Sequence, residues 1–391
     1  MIFERFQNSP IGSLVPISGR DPRYGESFAH WAYVPDPLPE TVVLTSHTWT
    51  IVAEAMQALG RLDQVGDPTF HKALIRRSAL RREAHSTSTI EGTVAPLSLI
   101  LEIDPHDTAK KSKEIVEIMN YVTTAEYAYE HVNERPITFQ LLNELHKLLV
   151  SNTASDGTDT GKVRSQQVVI GSPTGGVVDA RFVPHPPGPD LEIQLRSWLE
   201  WVNQERTDMP PVVAAALAHY QFETIHPFND GNGRLGRLLV VLQLVRLKVL
   251  REPLLTISPW FEERRDQYQD ELLHLSATGD FDRWVGFFCM AVRDQAIESS
   301  NKIEKLINYE EVVRIRCRAN NVRGVAWTVA LMLIERPYMT STWIQKHFAI
   351  SAPAANAVLA KLVNIDILRE TTGGNYRRLF VADEVLQIIE S

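Results

Sequence analysis

Apolar residues recur at helical spacing through most of this chain. Val52, Ala55, Met56 and Leu59 form a stripe that predicts a helix over residues 41–62. The same reading predicts helices over residues 68–91, 110–133, 139–150, 190–205 and 211–225. Leu235, Leu238, Leu239 and Leu242, with Val241 and Val245 filling in, predict another. Trp260 and Phe261 after Pro259, with Tyr268 and Gln269 beyond, open a further helix, and residues 281–318 predict one that closes a helical core. Two stretches break the period. The first residues, to about position 40, are rich in Pro, Gly and aromatics, and Val34-Pro35-Asp36-Pro37-Leu38-Pro39 reads as an extended arm over a core. Within residues 152–188, two β-prone runs, 167–171 and 177–183, surround Ser172-Pro173-Thr174-Gly175-Gly176 and predict a hairpin.

The C-terminal part changes character. Helices are expected over residues 325–335, 341–347 and 351–364, the first stopped by Pro337. Strands over 367–370 and 376–381 would flank Thr371-Thr372-Gly373-Gly374-Asn375. Three helices and a Gly-turned hairpin predict a winged helix-turn-helix. The helix in the recognition position carries Lys361 as its only base, and the hairpin adds Arg369, Arg377 and Arg378. A DNA-reading helix would show more outward Arg, Lys, Asn or Gln. Protein interaction, dimerisation or weak DNA contact is therefore expected ahead of sequence-specific DNA binding. The expected class is mainly α, in three parts: an N-terminal arm and helix over residues 1–110, a helical core over 111–318 and the winged helix over 319–391.

The densest chemistry lies in His226-Pro227-Phe228-Asn229-Asp230-Gly231-Asn232-Gly233-Arg234-Leu235-Gly236-Arg237. Gly231-Asn232-Gly233 turns tightly and can bring backbone N–H groups close to an anion. The leucine period that follows places this turn at a helix N-terminus, where free amides and the macrodipole attract phosphate. Arg234 and Arg237 share a face one turn in and suit further phosphates. Asp230 would repel those phosphates unless Mg²⁺ lay between, so a Mg²⁺–nucleotide is implied. His226 is the side chain of this segment that exchanges a proton near neutral pH. Phe228 reads as an apolar plug. Taken singly, His–Pro is a turn and an arginine pair a solvated face; in this order, ahead of a helix, they point to a triphosphate.

The segment resembles the motif of the Fic family, His-Pro-Phe-x-(Asp/Glu)-Gly-Asn-Gly-Arg-x-x-Arg, with every specified position present. The resemblance implies transfer of AMP from ATP to a Ser, Thr or Tyr hydroxyl of a target protein or of the chain itself. It implies His226 as general base, Asp230 as Mg²⁺ ligand, the amides of residues 231–233 as anion hole and Arg234 and Arg237 on the phosphates. The ATP site is thus expected over Gly231, Asn232, Gly233, Arg234, Leu235, Gly236 and Arg237. Tyr268 matches the first of an aromatic pair that the family often places near adenine, and Gln269 departs from the second. The region around residues 167–183 corresponds to the family's flap, on which an extended piece of target docks by strand addition.

A second segment, Thr87-Ser88-Thr89-Ile90-Glu91-Gly92, ends a predicted helix, with Gly92 as its cap. Thr87 and Glu91 are four apart and face one way. An anion at a helix C-terminus opposes the dipole, and a rule broken locally often marks a functional site. The stretch resembles the family's inhibitory signature, (Ser/Thr)-x-x-x-Glu-(Gly/Asn). That resemblance implies that Glu91 pairs with Arg237 and takes it from the γ-phosphate. Two alternatives stay open: removal of AMP from a modified protein, and a DNA-binding regulator whose core only senses nucleotide.

Composition narrows the picture further. The chain has 391 residues, 44% of them hydrophobic, long enough for two or three domains with real cores. The net charge of −8, from 48 acids against 40 bases, argues against a strong non-specific nucleic-acid binder. Cys289 and Cys317 lack metal or redox spacing and are expected as reduced core thiols of a cytoplasmic protein. Met1-Ile2-Phe3-Glu4-Arg5 leads into no long apolar run, so no signal peptide is expected. No run approaches the ~20 apolar residues of a membrane helix. The resemblance is compatible with a homodimer.

Overall fold

A computed structural model describes residues 3–20, 27–65, 71–103, 112–132, 135–172, 174–372 and 378–390. A 3₁₀ turn (Phe3–Phe6) leads into an antiparallel pair, β1 (Gly12–Arg20) and β2 (Ser27–Pro35), with Gly12 opposite Pro35 and Arg20 opposite Ser27. Five helices follow: α1 (Ser46–Val65), α2 (His71–Ile90), α3 (Leu97–Glu102), α4 (Lys113–Val132) and α5 (Phe139–Val150). After an irregular stretch come α6 (Pro189–Asn203), α7 (Pro211–Ile225) and α8 (Asn232–Arg246). Then follow α9 (Ser258–Glu263), α10 (Arg265–Thr278) and the long α11 (Phe281–Ala319). The C-terminal part holds α12 (Val325–Met332), β3 (Tyr338–Thr340), α13 (Ser341–Phe348), α14 (Ala352–Val363), β4 (Arg369–Glu370), β5 (Leu379–Val381) and α15 (Asp383–Glu390). Its three strands are antiparallel in the order β3-β5-β4.

The mainly helical expectation holds, and the strand expectations need two corrections. The N-terminal stretch is a nine-pair antiparallel ladder where an extended arm was expected. Its Pro16 lies on β1, an edge strand, where a missing N–H is tolerated. The hairpin expected over 167–183 reduces to one bridge, Ile170 opposite Phe182. There Val177, Ala180 and Phe182 are buried against Phe6 and Tyr33. Between the two runs, the Asp179 carboxylate accepts from Ser172 and from the Thr174 amide and closes a turn. The apolar residues that looked like one face of a ladder serve tertiary packing instead. In the C-terminal part, Tyr376 and Arg377 and the turn Gly373-Gly374-Asn375 lie outside the described residues, as do the expected helix start at 67–68 and Pro173.

Two neighbouring helices differ in kind. Every residue of α8 from Asn232 to Val245 is buried, so this helix is apolar nearly all round and lies in the middle of the core with α7. The sequence of α2 is polar, yet Ser86, Thr87 and Ser88 are fully buried. Arg81 donates to the Leu101 and Ile103 carbonyls at 2.7 and 2.6 Å. Glu83 accepts from the Ser258 amide at 3.0 Å and from the Ser258 hydroxyl, which ties α2 to the start of α9. The C-terminus of α2 closes as expected around Gly92, with φ of 95°. Thr93 donates to the Ser88 carbonyl and Gly92 to the Thr89 carbonyl, the two bonds of a Schellman cap.

Cys289 and Cys317 are both buried free thiols, and burial pushes Cys289 up to about 12. No helix among the described residues is long and apolar enough to cross a membrane.

Candidate active site

The motif loop joins α7 to α8, and buried contacts hold it on several sides. His226 is the left-handed C-cap of α7, with φ of 51°. Asn232 closes the loop on itself: its side-chain amide donates to the Phe228 carbonyl at 2.8 Å, and its side-chain oxygen accepts from the Phe228 amide at 2.9 Å. Phe228 is fully buried and stacks on His146 at 4.1 Å between centroids, as the plug expectation requires. His146 Nδ1 accepts from the Gly161 amide at 3.0 Å, so its Nε2 carries the proton and donates to the Asp230 carbonyl at 3.2 Å. Arg164, 2% exposed, donates Nε to the His226 carbonyl at 2.8 Å and its own amide to the Pro227 carbonyl at 3.0 Å.

These contacts set the protonation states. His226 Nδ1 lies 3.1 Å from the Glu223 carbonyl, an atom that only accepts, so Nδ1 bears the proton and Nε2 keeps its lone pair. Desolvation and the Arg164 charge push the imidazole down to about 4. Burial alone would raise the Asp230 carboxyl, but Arg234, the Ser155 hydroxyl and the Gly231 amide hold it below the usual carboxylate range. The site therefore presents a neutral imidazole and an ionised carboxylate. One carboxylate suits Mg²⁺, which favours one or two protein oxygens completed by phosphate and water. Among the described residues there is no cluster of three or more His, Cys, Asp or Glu that could cage a metal.

The N-terminus of α8 begins after Gly231, at φ of 76°. The first helical bond runs from the Leu235 amide to the Gly231 carbonyl, which leaves the amides of residues 232–234 without an intrahelical acceptor. Arg234 is 3% exposed and lies between carboxylates, 3.8 Å from Glu117 and 3.5 Å from Asp230. Arg237 is 1% exposed. It donates Nε to the Thr87 hydroxyl at 2.8 Å, Nη2 to the Thr87 carbonyl at 3.1 Å and Nη2 to Glu91 at 2.5 Å. Burial opposes its charge, but Glu91, Tyr268 and Glu223 outweigh burial and keep it firmly protonated.

A cavity of about 100 Å³ opens between His226 and Arg237 and is lined further by Glu91, Glu223, Gly233 and Gln269. A Cβ at Gly233 would meet the Glu91 carboxylate, so a larger residue there would push Glu91 aside. A Cβ at Gly236 would meet the Glu223 carboxylate and, less closely, the Phe222 ring. The Gln269 side chain accepts from Arg181 at 2.8 Å. Tyr268 reaches the cavity wall but is 3% exposed, and its ring stacks on Phe261 at 4.4 Å.

The structure thus brings His226, Gly233, Arg237, Glu91, Tyr268 and Gln269 to one cavity, with Asp230 and Arg234 beside the amides of α8. It does not bring Leu235 or Gly236 to the cavity wall. Leu235 turns into the core with its amide already bonded, and Gly236 is covered by Glu223. Gly92 shapes the cap of α2 rather than the wall. Sequence reasoning missed Arg164, Ser155, Glu117 and Glu223. No local pattern marks the first three, and Glu223 was readable only by its place one turn before His226. Burial pushes the Glu223 carboxyl up to about 8, with Arg237 opposing and Glu91 adding to the shift.

Comparison with known proteins agrees with this geometry. Residues 136–244 match the Fic/DOC family and residues 49–130 the Fic/DOC family N-terminal region. Protein adenylyltransferase fic-1 of Caenorhabditis briggsae is 30% identical over 232 residues, covering 56% of this chain and 41% of that protein. Protein adenylyltransferase Fic of Drosophila mojavensis is 34% identical over 246 residues, covering 59% and 44%. The chain spans about half the length of the curated relatives it matches. A crystal structure of a Fic family protein from Desulfovibrio desulfuricans G20 superposes with a TM-score of 0.53 at 22% identity, covering 88% of this chain and 98% of that one, and so shares its fold. Residues 136–244 thus form a Fic/DOC family domain, preceded over residues 49–130 by a segment matching that family's N-terminal region.

Proposed function

We propose that the chain is a protein adenylyltransferase held inactive by its own Glu91. A hydroxyl of the target attacks the α-phosphorus of ATP, its proton passes to His226 Nε2, and pyrophosphate leaves. The amides at the start of α8, with Arg234 and Arg237, stabilise the charge that develops on the phosphate oxygens. Asp230 would hold Mg²⁺, which supplies further positive charge at the phosphates. The observation that carries the reading is the shared cavity of His226 and Arg237, occupied at its arginine end by Glu91. At about 100 Å³ it is smaller than the 300 Å³ or more that ligand sites of this size usually offer. A γ-phosphate and the Glu91 carboxylate would compete for Arg237.

The C-terminal part is read as a winged helix with a protein-interaction role. Three of its bases are engaged internally: Lys361 donates to the Asn321 carbonyl at 3.1 Å, and Arg369 grips Asp383 at 2.6 and 2.7 Å. Arg378 pairs with Glu370. Those three are less free for phosphate contact.

Intact-mass analysis of the Glu91→Gly protein with Mg²⁺ and each of ATP, GTP, CTP and UTP tests the reading. Self-modification by AMP, well above that of the wild type, is the expected result. An unchanged mass with all four triphosphates would overturn it.

A further inference from the structure

Glu91 follows one end of α2, and the C-terminal part grips that helix towards its other end. α2 is continuous from His71 to Ile90. Three consecutive residues between α12 and β3 meet α2 and its neighbour α3. The Ile334 carbonyl accepts from the buried Ser78 hydroxyl at 3.1 Å. The Glu335 carboxylate accepts from Arg77 Nη1 at 2.5 Å. Arg336 donates Nη2 to the Glu102 carbonyl at 3.4 Å. That carbonyl lies between the two that Arg81 of α2 takes, those of Leu101 and Ile103. The end of α3 is thus a shared socket. One cation enters it from α2 and one from the C-terminal part, as the negative end of a helix favours.

The gripping segment is itself fixed to the C-terminal part. Leu333 and Ile334 are buried in the core. The amides of Glu335 and Arg336 both bond the Met332 carbonyl, which carries α12 on by a turn. The Arg336 guanidinium sits 5.0 Å over the Trp343 ring of α13. A shift of α12 or α13 would therefore take residues 334–336 with it. Among the described residues, none after Ser276 lines the cavity of His226 and Arg237, so the C-terminal part has no direct hold on the site. α2 touches both. A helix rises about 20 Å between Arg77 and Glu91, and a rigid element of that length passes a displacement from one end to the other.

We propose that the C-terminal part is a clamp on the Glu91 block. Residues 334–336 keep α2 seated, and their displacement from α2 frees Arg237 for the nucleotide. The proposal rests on the adenylyltransferase reading for the block itself.

The test uses the full chain with Mg²⁺ and ATP. The Arg77 and Glu335 side chains are 25% and 20% exposed, so solvent screens their attraction. Glu335→Arg sets like charges against each other and should raise self-modification by AMP about three- to fivefold, the upper end of what such a pair contributes. Adding Arg77→Glu restores the pair with its charges exchanged and should return the wild-type rate. In the Glu91→Gly background no block is left to release, and Glu335→Arg should leave the rate unchanged. Amide hydrogen exchange over residues 84–91, read by mass spectrometry, should quicken in Glu335→Arg and slow again in the charge-exchanged chain, with α8 unaffected. Unchanged exchange over residues 84–91 would overturn the proposal, and so would exchange that quickens equally in α8. A self-modification rate unmoved by Glu335→Arg while Glu91→Gly is active overturns it too, as does one that rises equally with and without Glu91. If Glu91→Gly transfers no nucleotide although exchange behaves as expected, the adenylyltransferase reading fails and the clamp on α2 stands.

Discussion

α8 and α2 meet at Arg237, and they are built in opposite ways. α8 is buried on every side, and at its start Asn232 and Arg237 are matched by fixed partners, while Arg234 Nε and Nη1 have no hydrogen-bond partner among the described residues. α2 carries Ser86 and Ser88 into full burial, yet neither hydroxyl has a hydrogen-bond partner among the described residues, nor does His85 Nδ1. A buried polar atom left unmatched costs about 1–3 kcal/mol. The helix that supplies the chemistry is thus seated by hydrophobic packing that has one solution. The helix that would supply the proposed block carries more unmatched polar atoms among the described residues, although Arg81 and Glu83 tie it to its neighbours. That difference would suit the removable inhibitor proposed for Glu91.

The largest expected effect lies on the rigid side. His226→Ala in the Glu91→Gly background should lower transfer by about 10²–10⁴-fold, the usual range for a general base, with ATP affinity retained. Loss of ATP binding in that variant would mean that His226 holds nucleotide instead. Next comes the shared arginine. Arg237→Ala with Glu91→Gly should weaken productive ATP binding about ten- to hundredfold, the value of one charged hydrogen bond. Full activity of that double variant would dissolve the link between the two helices.

Stability separates the helices more directly. Leu238→Ala removes a buried side chain of α8 and should cost about 2–5 kcal/mol in urea melts. Ser86→Ala or Ser88→Ala should cost nothing or stabilise by about 1 kcal/mol, because an unmatched hydroxyl is removed. Comparable losses on both sides would refute the contrast.

The smallest effect is a pH dependence of the block. Burial pushes the Glu83 carboxyl up to about 7 despite its bonds from Ser258. A carboxyl raised above its unfolded value contributes stability that is present below about 4.5 and lost as pH rises through about 7. The seat of α2 on α9 should loosen over that range, so residual self-modification of the wild type should rise with pH, and Glu83→Gln should flatten the profile. In the Glu91→Gly protein, transfer should persist as pH falls through 6.5 and fail only at or below about 4, because the lost Glu91 charge had favoured protonation of His226.

Most of the helices were legible because they repeat a period of 3.6, and the ends of α5 and α7 coincide with the expected ones. The strands were not. A two-stranded ladder with a proline on its edge reads like a coil, and the apolar residues of 177–183 read like a ladder because burial in a tertiary cluster leaves the same alternation.

The sequence by itself determined the local chemistry of this protein. The order His226 to Arg237 carries a base, a carboxylate, a turn and two cations that act within one loop and one helical turn, so neighbours in sequence are neighbours in space. The four-residue step from Thr87 to Glu91 is local in the same way. Only the tertiary structure decided what these groups meet: Arg164 on the His226 carbonyl, His146 under Asp230, Glu223 over Gly236 and Tyr268 on the cavity wall that Arg237 shares. Those partners come from α5, α7, α10 and an irregular stretch. Arg164 and His146 each match a buried carbonyl that would otherwise go unsatisfied, a condition that exists only once the core has closed.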